Sequence, residues 1–285
     1  MSDLASAVLT LPVQWSAMTL IQQVAWLWER RDDMTAVRQE AQVVVLRALA
    51  ALSSGSLAVV SKDEAGVFQV CVEAKQAILL AFRCLDSTVH ALGFDKIPLL
   101  AVDTQRWTTH HIRVVPGSVI RHGVYLGPSC IIMPSFINSG ASIGSCTMID
   151  SGATVGCAFI GERCHISSNV TIGGVLEPMQ AMPVIIEDDV FIGAGCHVVE
   201  GVRIGRGSVL ATGVVLTSGT KIIDRSTGHT LWGNIPPYSL VVPGAYASGR
   251  DGLSIQCAVI VKTLEPGQSP KTALNDWLRQ SDSLP

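Results

Sequence analysis

The sequence predicts a mainly β fold: a left-handed parallel β-helix, with an N-terminal α/β cap domain and a short C-terminal strand and helix. Three observations predict it. An aliphatic residue recurs at six-residue spacing through most of 131–216. The residue four places after it is mostly small or β-branched. Aromatic residues make up only 5% of the chain while glycine is plentiful, which suits small flat turns stacked on one another.

Taken in order, residues 19–31 and 34–52 carry helical apolar spacing, the second stretch ending at Ser53-Ser54-Gly55. Residues 57–60 and 67–72 read as a hairpin and 73–82 as a further helix. The repeat follows, with first residues Ile131, Ile137, Ile143, Ile149, Val155, Ile160, Ile166, Ile172, Ile186, Ile192, Val198, Ile204, Leu210 and Leu216. One aliphatic and one small residue per repeat allow a short strand and a corner, and three repeats close a coil of about 18 residues. Glycine is common at the second and fourth positions, where corners are expected to need unusual backbone angles. Two breaks interrupt the register: Val155 to Ile160 is a short step, which tightens one corner, and Ile172 to Ile186 is a long one. The extra segment GGVLEPMQAMP must loop out, and its apolar Leu176, Met179 and Met182 suggest that it packs on something. Residues 257–264 are strand-like and 272–279 helix-like, a pair expected to cover the open end of the solenoid. The resulting division is 1–108, 109–245 and 246–285.

Composition excludes several classes. Hydrophobic residues are 48% and charged residues 15%, enough to fill a core and against disorder. Net charge is −3 with no basic stretch, so nucleic acid is not expected as a partner. No apolar run reaches membrane-spanning length, and the N-terminus lacks the positive leader of a signal peptide, so a cytoplasmic protein without membrane contact is expected. The eight cysteines are scattered without a CxxC pair or zinc spacing, and read as reduced thiols in core positions.

Residues that violate a repeat are where chemistry intrudes. After Ile149 the usual glycine is Asp150, which could hold an amine or accept its proton, or could cap the corner through backbone amides. Glu187, Asp188 and Asp189 read as a solvated corner. His197 ends the repeat IGAGCH and is a candidate general base, or simply a surface histidine. Counting three repeats per coil puts Ile149, Ile166 and Ile192 on one face and expects Asp150 and His197 to share it, two coils or roughly 10 Å apart. Arg113, just before the solenoid, reads either as a buried clamp for a carboxylate or as an interdomain ion pair.

The segments RVVPG (113–117), MPSFIN (133–138), TMIDSGATVG (147–156), IGGVLEPMQAMPVIIEDDVFIGA (172–194), STG (226–228) and CAVIVK (257–262) closely resemble the tetrahydrodipicolinate N-succinyltransferase family. The resemblance runs from about residue 20 to the C-terminus. It implies a homotrimer of left-handed β-helices with active sites between subunits, no metal, and transfer of succinyl from succinyl-CoA to the amine of 2-amino-6-oxopimelate, toward diaminopimelate and lysine. Arg113 then resembles a substrate-binding arginine and Asp150 an active-site aspartate. Gly174, in the insertion, is a further substrate-binding candidate, and Gly195 and Gly213 would let the pantetheine arm approach.

The chain also departs from that family. Where the family has Ala-Arg-Ser-Glu, this chain has Ala194-Gly195-Cys196-His197. A tryptophan is replaced by Gly152, one residue is lost near Gly156, and Ser-Gly-Gly becomes Ser167-Ser168-Asn169. Loss of an arginine removes a partner for a succinyl carboxylate, which favours acetyl-CoA, with His197 standing in as base. Such a site would suit an enzyme of secondary metabolism, as in the tabtoxin pathway. The alternative from another class is an inactive β-helix that acts as a binding or scaffold protein. A carbonic-anhydrase-like β-helix would want zinc-spaced histidines, which His165, His197 and His229 do not supply.

Overall fold

The computed structural model describes residues 11–90, 93–179, 181–249 and 252–267. At its centre, two- and three-residue strands stack in parallel into the three faces of a triangular prism. The inward residues Ile132, Ile149, Ile166, Ile192 and Leu210 lie in register on the first face. On the second face the ladder is Ile120, Ile137, Val155, Ile172, Val198 and Leu216. On the third it is Leu126, Ile143, Ile160, Ile186, Ile204 and Ile235. These side chains form one continuous buried core. Burying each of them stabilises the fold by about 1.5–3 kcal/mol.

The structure corrects the phase of the repeat at its start. Ile131 points outward and pairs with Met148, whereas Ile132 is fully buried and pairs with Ile149. Two consecutive isoleucines leave the period ambiguous, and the ladder settles it. The step from Ile132 to Ile137 is therefore a second tightened corner. The solenoid also begins a coil earlier than the repeat suggests, with strands Arg113–Val114, Val119–Ile120 and Tyr125–Leu126.

The two glycine positions serve different needs. At the fourth position the backbone is left-handed, as at Gly195 (φ 66°), where glycine avoids the strain of a β-carbon. At the second position the constraint is space: a Cβ on Gly144 would sit 2.5 Å from the carbonyl carbon of Gly161 one coil on. The expectation of unusual angles holds for the fourth position only.

The N-terminal region packs along a face of the prism. Helix α1 (Leu20–Glu29) starts at a capping box in which the Thr19 hydroxyl accepts from Gln22 N and the Gln22 side chain accepts from Thr19 N. Helix α2 (Arg38–Ser54) ends at Gly55 in the left-handed conformation. Strands β1 (Val60–Lys62) and β2 (Phe68–Val70) form the expected hairpin, and α3 (Val72–Cys84) follows. Their common core takes in Cys157 and the outward Ile185 of the third face, with Phe159 packed on it and edge-on to Phe68 at 5.4 Å. The cap covers that face at Phe159 and Ile185, while Arg203 and Asn234 farther along it stay exposed. The long insertion packs on the same cluster through Leu176 and Met182.

Beyond the expected strand at 257–264, found as Ser254–Thr263, two further pieces were not visible in the pattern. A hairpin of β3 (Thr88–His90) and β4 (Gly93–Asp95) leads to α4 (Thr104–Thr109). Trp107 and Leu100 pack against the start of the prism core. At the other end, strand Ser239–Ala247 extends the first face beside Val209–Leu210 and pairs antiparallel with Ser254–Thr263. The helix expected at 272–279 lies outside the described residues. Among the described residues, no helix is long and apolar enough to cross a membrane.

Six of the eight cysteines are buried, whereas Cys71 is partly exposed and Cys146 is exposed, so the expectation of core positions fails at Cys146. Cys130, Cys164 and Cys196 each donate a thiol hydrogen bond of 3.0 Å to a backbone carbonyl of the next coil, Gly144, Glu187 and Ala211 respectively. Burial pushes the Cys164 and Cys157 thiols up to about 12, and Cys130 and Cys196 up to about 11. The reactive thiolate is thus scarce at neutral pH. Iodoacetamide at pH 8 is expected to leave these four unmodified in the native protein and to label them in denaturant, as peptide mass spectrometry would register.

Candidate active site

The corner between the first and second faces carries most of the candidate residues. Asp150 leaves the first-face strand Met148–Ile149. Its backbone N–H donates to Ile166 O at 2.9 Å, so the corner is fixed to the next coil. The side chain is half-buried, and Oδ1 accepts from Ser151 N at 2.8 Å. Asp150 is therefore a corner cap, and this leaves Oδ2 without a hydrogen bond from the described residues. Along the edge the same position is filled by Val115 and Met133 on the coils before and by Ser167, Gly193 and Ala211 on the coils after. Asp150 is the one carboxylate among them, with Met133 on one side and the small Ser167 on the other.

His197 is an exposed outward residue of the second face, paired with Thr171 and Val215. The sequence places it on one face with Asp150; the structure corrects this. His197 opens the second-face strand of its coil, whereas Asp150 closes the first-face strand two coils earlier, so they flank one edge from different sides. Arg113 is also corrected. It lies in the first strand of the solenoid rather than before it, and it is exposed rather than buried. The outward row of the first face is Arg113, Ile131, Met148, His165, Phe191 and Val209, so Arg113 stands beside Ile131. From Arg113 to His197 is four coil steps, about 19 Å. One chain therefore brings Asp150, His197 and Arg113 to one side of the prism but not into contact.

Gly195 and Gly213 stack on neighbouring coils of that edge, Gly213 N donating to Ala194 O at 3.1 Å. A β-carbon at either would meet nothing within 4 Å, so the space beside them is open. Gly174 differs. A β-carbon there would collide with the backbone of Gly156 and Cys157, so its lack of a side chain is required by coil stacking. This is the corner tightened by the short step from Val155.

Two departures that look separate in the sequence touch in the structure. A β-carbon on Gly152 would overlap Oδ1 of Asn169, which stands one coil on. Asn169 is in the left-handed conformation (φ 58°), and its side chain fills the space over Gly152. Their positions, one coil apart, were the only available signal, and that signal needed the correct phase. Glu187, Asp188 and Asp189 are also more than a solvated corner. Arg163 Nε donates to Asp189 at 2.6 Å, Arg203 Nε to Glu187 at 2.6 Å and Arg206 to Asp188 and Asp189 at 3.2 Å. This ladder holds the corner between the third and first faces, and the arginines keep the Asp189 carboxyl below the usual range. Among the described residues, no group of three or more His, Cys, Asp or Glu side chains could hold a metal ion.

Comparison with known proteins bears on this geometry. Residues 19–84 match the family model described as tetrahydrodipicolinate N-succinyltransferase N-terminal, and 183–218 match the hexapeptide repeat of succinyl-transferase. The latter match accords with the left-handed winding expected of such repeats. A 2,3,4,5-tetrahydropyridine-2,6-dicarboxylate N-succinyltransferase of Methylobacterium sp. is 44% identical over 91% of this chain and 98% of its own. The protein of the same name from Caulobacter vibrioides is 44% identical over 88% of this chain and 96% of its own. A solved Campylobacter jejuni structure, described as a tetrahydropyridine-2-carboxylate N-succinyltransferase, shares the fold with a TM-score of 0.51 at 16% identity. That alignment covers 76% of this chain and 62% of that one, less than two thirds of its length.

Proposed function

This chain belongs to the tetrahydrodipicolinate N-succinyltransferase family and is an acyltransferase, and from that premise we propose that it acylates the amine of 2-amino-6-oxopimelate, the ring-opened form of tetrahydropyridine-2,6-dicarboxylate, using an acyl-CoA. The observation that carries the reading is Asp150: a half-buried carboxylate whose Oδ2 accepts no hydrogen bond from the described residues, in an edge row otherwise made of the uncharged Val115, Met133, Ser167, Gly193 and Ala211. Asp150 accepts a hydrogen bond from the substrate amine and helps remove its proton. The amine nitrogen attacks the thioester carbonyl, the C–N bond forms, the C–S bond breaks, and the CoA thiolate takes up a proton. Arg113 pairs with a substrate carboxylate. The pantetheine arm runs along the open edge beside Gly195 and Gly213.

The site is assembled between chains of a homotrimer. The third face carries the cap, at Phe159 and Ile185, whereas the first and second faces present half-buried outward residues such as Ile131, Met148, Phe136 and Val215 for a neighbour. A neighbour's side chains would bridge the distance that separates Asp150, His197 and Arg113 in one chain. The metabolic setting is bacterial lysine and diaminopimelate biosynthesis, to which the relatives' names point.

For the donor, the relatives' names point to succinyl-CoA, whereas one observation favours an uncharged acyl group. Gly195 stands where the family has arginine, and no side chain replaces it in the open space there. A succinyl carboxylate desolvated at that edge would lack its cation. We therefore assign acetyl-CoA as the better donor, with His197 as base. Thiol release from succinyl-CoA and acetyl-CoA in parallel, with 2-aminopimelate as acceptor, tests both readings. Faster release from acetyl-CoA is expected. Preference for succinyl-CoA returns the donor to that of the named relatives, and no release from either removes this acceptor.

A further inference from the structure

Lys75 is a charged group that the reaction above does not use. It lies on α3 with its side chain fully buried, among Ala74, Ala77 and Ile78. Its Nζ donates to the carbonyl of Ala181 at 2.6 Å, in the insertion at 173–183. Among the described residues no carboxylate pairs with it, and desolvation lowers its pKa. An ammonium group buried against one neutral carbonyl is unfavourable unless that bond is wanted, since an apolar side chain of the same length would pack there more cheaply.

The placement of that bond says what it is for. The insertion leaves the solenoid at Gly174, which is pressed on Gly156 and Cys157, and it re-enters past Met182, whose carbonyl lies 2.5 Å from where a Cβ on Gly201 would be. Both ends are thus held by backbone contact with the coils. Between them, Leu176 and Met182 rest on the cap by apolar contact, which fixes position loosely, and among the described residues no other side-chain hydrogen bond joins cap and loop. The Lys75–Ala181 bond is the directional polar tie from the cap to this loop. We infer that Lys75 is a positioning residue that sets the conformation of the 173–183 loop for the amino-dicarboxylate acceptor. The reference to the acceptor rests on the proposed function and on Gly174, the substrate-binding candidate at the start of this loop, and the tie to the loop rests on geometry alone.

Lys75→Met removes the donor and keeps the length and packing. Two readouts are followed: hydrogen exchange by mass spectrometry on peptides covering 174–182, and steady-state kinetics with 2-aminopimelate and the preferred acyl-CoA. Loss of one charge-assisted hydrogen bond is expected to speed exchange in the loop about tenfold and raise the acceptor KM about tenfold, with kcat and the acyl-CoA KM within about twofold. Lys75→Arg, which keeps a cationic donor, is expected to recover most of the acceptor KM. Loop exchange and acceptor KM both unchanged in Lys75→Met would overturn the inference. So would a Lys75→Met chain that does not fold, because Lys75 would then be a core group. If the wild-type enzyme shows no turnover, the proposed function fails instead, and the exchange readout still decides whether Lys75 holds the loop.

Discussion

Asp150→Asn is expected to lower kcat by about 10²–10⁴-fold while leaving the protein folded. The two halves of that expectation come from the two oxygens of one carboxylate. Oδ1 accepts from Ser151 N and caps the corner, and asparagine keeps a carbonyl oxygen in that place. The melting temperature should therefore shift by no more than a small surface substitution would shift it, less than about 0.5 kcal/mol in stability. The second oxygen is the one the reaction needs, as a negative acceptor for the amine proton, and the amide nitrogen cannot take that role. Asp150→Ala removes the cap as well, and is expected to lose the same activity together with about 1 kcal/mol of stability. Steady-state kinetics and thermal melts on both variants separate the roles. An Asp150→Asn enzyme with kcat within threefold of wild type would reduce Asp150 to a corner cap.

The fold was largely legible because its period is written into the covalent chain. Thirteen of the fourteen aliphatic positions read from the repeat do face the core, and they need no tertiary information to be seen. The phase was legible wherever one aliphatic residue stood alone, and it failed at Ile131-Ile132, where two stand together and only pairing with Met148 and Ile149 decides which is inside. Missing the coil at 113–126 followed from the same weakness. Its inward residues Val114, Ile120 and Leu126 lead to Ile132 at regular six-residue steps, but counting back from Ile131 falls on the outward Tyr125, Val119 and Arg113, and Arg113 was read as a junction residue in consequence.

The site was less legible for a physical reason. A β-helix edge is a vertical row, so its neighbours are one coil apart in sequence, and a small error in coil length moves a residue from one face to the next. For Asp150 and His197 the coils were counted correctly, and the miss came from giving His197, the last residue of its repeat, the face of the first, although it opens the next strand. The contact of Gly152 with Asn169 and the tie from Lys75 to Ala181 depend on stacking and on docking of the cap. Neither is encoded by any local spacing.

The pair Gly195→Arg and His197→Glu should exchange the donor preference. It restores the two side chains by which the chain departs from its family, at positions whose surroundings are now known. At residue 195 the backbone is left-handed, so a β-carbon adds strain of about 1–2 kcal/mol. Nothing lies within 4 Å of that β-carbon, so the side chain enters open space and the prism is undisturbed. An arginine there supplies a bidentate cation to a succinyl carboxylate and nothing to an acetyl methyl group. A close interfacial charge pair couples by about 1.5–7 kcal/mol, and even its lower end changes the ratio of kcat/KM for succinyl-CoA over acetyl-CoA by about tenfold. The double variant is expected to raise that ratio by about 10²-fold, toward the lower end of that range, while the strain at residue 195 lowers stability and leaves the ratio unchanged. His197→Glu retains an acid-base group on the second face, so turnover should persist, whereas His197→Gln, which has none, should lose about 10²-fold in kcat. Measuring kcat/KM for both donors in wild type, in the double variant and in His197→Gln tests donor and base separately. A donor ratio within threefold of wild type in the double variant would mean that the succinyl carboxylate binds elsewhere. Full activity in His197→Gln would leave Asp150 as the only proton acceptor this chain contributes.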